Sequence, residues 1–195
     1  MRNILKTSIL FLGSAVIFSS CGGGGGSNPL GSLTGGNSIK LKSLSVQKVN
    51  GADENPVINP GEEFYIRWDI SASKDYGIAF FARPDSEPVT LENKNVEYFY
   101  NTNCIGNLFS CSKGVKCKYT KEEKNYETKY FIQCVSYSNI PGYEGWPEYP
   151  NYGKKLINPY NTNYIVADAY IWIYESDGDM YRKHSTKSIP ITFSP

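Results

Sequence analysis

Apolar and polar side chains alternate along much of this chain with a period of two. From Glu62 to Ile70, Phe64, Ile66, Trp68 and Ile70 fall on one face and Tyr65, Arg67 and Asp69 on the other, the pattern of a half-buried β-strand. Asn59-Pro60-Gly61, immediately before it, is a turn signal. Ile39 to Val49 alternates less strictly, and the break near Ser43 reads as a bulge. Gly77 to Ala82 is a short apolar strand ended by Pro84, and Val89 to Leu91 and Val96 to Tyr100 are further strand candidates. In the last third, Ile165, Ala167, Ala169, Ile171 and Ile173 share one face, with Tyr164, Asp168, Tyr170, Trp172 and Tyr174 on the other. Glu175-Ser176-Asp177-Gly178-Asp179 then makes a hairpin turn. Met180 to Lys183 and Ser188 to Phe193 complete a final strand, broken near His184. Short strands separated by turn signals, with few stretches long enough for a helix, predict an all-β antiparallel sandwich over residues 38–195.

The N-terminus follows a different pattern. Arg2 and Lys6 precede an uncharged apolar run from Ser8 to Phe18, and Ser19 and Ser20 lead to Cys21. A run of 11 residues is short of the roughly 20 that cross a bilayer, so residues 1–20 read as a secretory signal peptide. Residues 22–37 follow with eight glycines and no charge. Such a segment cannot bury enough apolar surface to offset its ordering entropy, and residues 21–37 read as a flexible tether. Its average span is about 20–24 Å, from 5–6 Å times the square root of its length.

The run Phe18-Ser19-Ser20-Cys21 resembles the lipobox of bacterial lipoproteins. The resemblance implies cleavage before Cys21, a diacylglycerol on its sulfur and a fatty acyl chain such as palmitate on its amine. It also implies outer-membrane sorting, because residue 22 is Gly and not Asp. The membrane partner is then the covalent lipid itself. Asn55 to Ile70, a Pro-Gly turn leading into an alternating strand with an inward aromatic, is similar to the second strand of immunoglobulin-like and fibronectin-type domains of bacterial surface proteins. The hairpin near the C-terminus fits the last two strands of such a domain. Residues 101–160 then read as a loop-rich, disulfide-stapled insertion on an immunoglobulin-like frame.

Charge and cysteine content narrow the picture. Without Arg2 and Lys6 the formal charge falls from +1 to −1, which gives no electrostatic footprint for nucleic acid. Export places Cys104, Cys111, Cys117 and Cys134 in an oxidising compartment, where disulfides are the default. Three pairings exist. A hairpin around Asn125-Tyr126 sets 117 opposite 134 and so favours Cys117–Cys134, with Cys104–Cys111 closing a short loop. The spacings contain no C-x-x-C pair for zinc, and no cofactor is called for.

Few residues carry catalytic patterns. There is no G-x-S-x-G, no phosphate loop and no H-E-x-x-H. His184 stands among Arg182, Lys183 and Lys187 and reads as a solvated surface histidine. Asp177 and Asp179 flank Gly178 in a turn that needs those residue types whether or not Ca²⁺ binds. The most suggestive stretch is Pro141 to Tyr160, a long loop holding Tyr143, Trp146, Tyr149, Tyr152 and Tyr160. Rigid aromatics with polar tips suit recognition of a protein or a sugar face, although they would equally pack down as a satellite core. The outward face of Tyr164, Tyr170, Trp172 and Tyr174 is expected to be covered by residues 101–160, because large bare aromatic patches are uncommon. These features predict a non-enzymatic, outer-membrane-anchored module that binds a protein or glycan. The alternatives are a periplasm-facing structural or assembly lipoprotein and an envelope hydrolase with a dispersed carboxylate pair.

Overall fold

The computed structural model describes residues 36–49, 56–105, 113–137 and 153–195. Within them the chain forms strands β1 (Ile39–Lys48), β2 (Val57–Ile58), β3 (Glu63–Ala72), β4 (Tyr76–Arg83), β5 (Tyr98–Cys104), β6 (Gly114–Lys124), β7 (Glu127–Tyr137), β8 (Lys155–Ile157), β9 (Tyr164–Tyr174), β10 (Met180–Pro190) and β11 (Thr192–Phe193). A five-stranded sheet runs β1-β3-β6-β7-β8 and a four-stranded sheet runs β10-β9-β4-β5. Every pairing within these two sheets is antiparallel, and β2 and β11 form a short parallel pair. The all-β, antiparallel expectation is met.

Alternation decides which side chains meet. Phe64, Ile66 and Trp68 of β3 and Val115, Cys117 and Tyr119 of β6 point inward from one sheet; Ile78 and Phe80 of β4 and Ile165, Ala167, Ala169 and Ile171 of β9 point inward from the other. They form one shared core, with Trp68 and Phe80 in contact across it at 5.3 Å between ring centroids. Burying an aliphatic or aromatic side chain of this size contributes about 1.5–3 kcal/mol. The sheets also meet along one edge, where the Leu41 amide donates to Ser185 Oγ at 2.9 Å. The C-terminus is pinned by Tyr119, whose buried hydroxyl donates to the Ser194 carbonyl at 2.9 Å.

The turns follow their residue types. Gly61 adopts φ +92°, and the Glu62 amide donates to the Asn59 carbonyl at 3.0 Å, a turn that Pro followed by Gly favours. At the β6–β7 tip Asn125 and Tyr126 both have positive φ, 53° and 65°, the two-residue geometry that matches strand twist. It sets Cys117 directly opposite Cys134, and the two form a disulfide. Cys104 is disulfide-bonded as well; its expected partner Cys111 lies outside the described residues. The register shift between Leu41 and Ser43 is the expected bulge.

Four expectations change. The β6–β7 hairpin is not an insertion: it is the middle of the five-stranded sheet, and its inward side chains, the disulfide included, belong to the main core. The sequence shows the hairpin itself but not that β6 pairs beside β3. Residues 89–91 form no strand, and β5 begins at Tyr98. The stretch Pro141 to Tyr160 is not all loop, because β8 pairs with β7 along Lys155–Ile157. Finally, β10 runs unbroken through His184, and the interruption falls at Ile191.

Candidate functional site

The outer face of the four-stranded sheet gathers the domain's polar chemistry. β9 is buried on both sides from Ile165 to Ile171, so its outward residues Val166, Asp168 and Tyr170 are covered as well. Part of the cover is the strap of residues 84–97, whose Val89, Leu91 and Val96 pack on Ala79, Phe81 and Val166. Beneath it lies Asp168, a carboxylate with no solvent exposure.

A buried carboxylate needs partners, and Asp168 has them. His184 Nδ1 lies 2.8 and 3.0 Å from its two oxygens, and the Leu91 amide donates to Oδ2 at 3.0 Å. The histidine's other nitrogen, Nε2, stands 3.3 Å from Glu92 Oε1, close enough for an ion pair but without the alignment of a hydrogen bond. The hydrogen bond to Asp168 is the largest influence on His184 and holds its pKa above the ordinary imidazole range. Desolvation opposes that rise, and Glu92 assists it. An aspartate on Nδ1 is the orienting half of an acid–base relay. Here Nε2 meets a second carboxylate, so a proton on His184 serves two anions and fastens the strap to the sheet.

This corrects the reading of His184 as a solvated residue: its side chain is 16% exposed and paired. The signal was present in the hairpin register. The Glu175–Asp179 turn pairs His184 with Tyr170 and Thr186 with Asp168. His184 and Asp168 are therefore diagonal neighbours on one face, within reach of each other. The turn also gives Asp177 a local task, since its Oδ1 accepts from the Asp179 amide at 3.2 Å.

One row along, Tyr170 lies over Gly77, and its hydroxyl donates toward Asn101 Oδ1 and Asn103 Oδ1, each at 3.2 Å. Burial, the largest influence on this phenol, pushes its pKa up. The Arg182 guanidinium stands 5.4 Å from its ring centroid, a cation–π distance. Trp172 meets the same ring nearly edge-on, at 5.2 Å and 81°. Beyond it the face opens into a depression of about 570 Å³ lined by Lys74, Asp75, Ile105, Trp172 and Tyr174. Tyr174 is 71% exposed and Ile105 72%. Among the described residues the strap covers one end of this face, Asn101 and Asn103 hold Tyr170 in its middle, and the depression lies at the other end; the remainder of the expected cover, 106–112 and 138–152, lies outside the described residues.

Of the loop aromatics, Tyr160 is 75% exposed in a 3-10 turn capped by Asn158, whose Oδ1 accepts from the Tyr160 amide. It lines a shallow groove with Tyr130 and Leu156. Tyr143, Trp146, Tyr149 and Tyr152 lie outside the described residues, as does Cys21. Among the described residues, no three His, Cys, Asp or Glu side chains converge on a metal-sized site. Neither the protein-family models nor the curated proteins contain a match to the chain.

Proposed function

We propose that this protein is a lipid-tethered binding module of the outer membrane: an immunoglobulin-like β-sandwich held by acyl chains on Cys21 and recognising a protein or glycan partner. The observation that carries the recognition role is the shelf where Trp172 stands beside the largely exposed Tyr174 and Ile105. The domain has a large core in which to bury such side chains, and it leaves them in water, where rigid aromatic surface serves contact. Two antiparallel sheets sharing one core support the sandwich reading, and the run ending in Cys21 supports the anchor.

Two measurements test this. Mass spectrometry of the N-terminal peptide from the native host is expected to find acylated Cys21 at the new N-terminus; an unmodified Cys21 still joined to Ser20 refutes the anchor. The immobilised protein is expected to retain material from envelope extracts split into protein and polysaccharide fractions, with retention lost in a Trp172→Ala/Tyr174→Ala variant that still folds. Retention of neither fraction ends the binding role.

A further inference from the structure

The shelf has a chemistry more specific than exposed apolar surface. Its platform is preorganised. Tyr170 is gripped by Asn101, Asn103 and the space above Gly77, and Trp172 is braced edge-on against Tyr170. A ring held in this way loses little freedom when a ligand stacks on it. At about 570 Å³ the depression is within the usual range for small-ligand sites.

Its rim adds polar groups of both signs. Lys74 brings a cation and Asp75 an anion, and the neighbouring hairpin turn presents Glu175, Asp177 and Asp179 to solvent. The lining itself, with one cation and one anion, carries no net formal charge, and the carboxylates of the turn disfavour an anionic ligand. A neutral ligand with both donors and acceptors satisfies the rim, and one with a flat C–H face satisfies the rings.

The shelf also lies where the chain enters the domain. The Ser73 amide donates to the Ser38 carbonyl at 3.0 Å, next to Lys74, and Lys183 Nζ donates to the Asn37 carbonyl at 3.0 Å.

We infer that the Trp172–Tyr174 shelf binds the ring face of a neutral saccharide, with Lys74 and Asp75 engaging its hydroxyls. This rests on the binding role proposed above and narrows it to one ligand class at one place.

The test is a tryptophan-fluorescence and calorimetric titration of the full-length protein in detergent. The probes are neutral hexamers of glucose and of N-acetylglucosamine, with a polyuronic acid as the anionic probe. At least one neutral hexamer is expected to bind, with at least a tenfold loss in Trp172→Ala, a several-fold loss in Tyr174→Ala and no change in Tyr160→Ala. Tyr174 is so exposed that its variant reports on the site even if Trp172→Ala fails to fold. Binding of neither neutral hexamer, stronger binding of the polyuronic acid, or undiminished affinity in Tyr174→Ala overturns the inference. Retention of an envelope protein fraction together with no binding of the neutral hexamers would leave the binding module standing and remove the saccharide.

Discussion

The ring of Tyr170 occupies the space that a side chain on Gly77 would need. A Cβ on residue 77 would stand 2.6 Å from Tyr170 Cε2 and nearer still to Cζ and the hydroxyl oxygen. The two residues are direct cross-strand partners on β4 and β9. The absent side chain of one lets the phenol of the other lie down and reach Asn101 and Asn103 on β5. Glycine ordinarily weakens a strand interior, and it is found where another group must approach closely.

Gly77→Ala is therefore expected to destabilise the domain by about 2 kcal/mol, the usual scale for overpacking a filled site. The backbone tolerates alanine here, so the cost is spatial. The ring must lift, which removes the brace behind Trp172. Urea unfolding should show the loss, and near-ultraviolet circular dichroism should show a changed aromatic environment. A variant as stable as the parent, with an unchanged aromatic spectrum, would mean that Tyr170 does not depend on the glycine.

The features that could be read directly from the sequence are local. The alternation of β3 and β9, the Pro60-Gly61 turn and the facing of Cys117 and Cys134 each follow from a few neighbouring residues, because pleat period and turn geometry act over that range. What stayed hidden depends on partners distant in the chain. The alternation in β6 and β7 does not say that they pair beside β3. The apolar residues Val89, Leu91 and Val96 suit a strand and a strap equally, until Ala79, Phe81 and Val166 supply the surface beneath them. Asp168 reads only as an outward residue of its strand, because nothing near it in sequence announces Leu91 and Glu92, whose positions bury it. The His184–Asp168 diagonal was within reach of register reasoning alone.

That diagonal makes stability depend on pH, with a determined sign. Asp168 on β9 and Glu92 on the strap both face His184 and favour its charged form, so its folded pKa lies above the unfolded value, near 6.5 for a free histidine. A raised pKa in the folded state gives stabilisation that is complete below the unfolded value and is lost as pH rises through the folded one. Unfolding free energy is thus expected to fall from about pH 6.5 upward. In His184→Gln, which keeps a donor for Asp168 without a titrating charge, the decline should vanish in that window. The same variant is expected to be less stable at pH 6 by about 1.5–3 kcal/mol, the scale of a charge-assisted hydrogen bond. Because the chain has one histidine, its proton magnetic resonance titration is directly assignable. A midpoint at or below 6.5, or an unchanged slope in the variant, would contradict the clamp.

A second local conflict sits at the β6–β7 tip. Asn125 and Tyr126 both take positive φ. Asparagine visits that region readily, whereas a residue with a bulky side chain pays about 1–2 kcal/mol to do so. The Tyr126 ring is fully exposed, so it has no buried contact with which to offset the strain. Tyr126→Gly is expected to raise stability by about 0.5–1 kcal/mol, because relief of the strain exceeds the added freedom that glycine confers on the unfolded chain. Tyr126→Ala, which keeps a Cβ in the same conformation, should stay within about 0.5 kcal/mol of the parent. The comparison of glycine with alanine at this position isolates the backbone contribution, because the disulfide between Cys117 and Cys134 holds the register in both. Equal midpoints for the two variants in thermal unfolding would show that the tip carries no such strain.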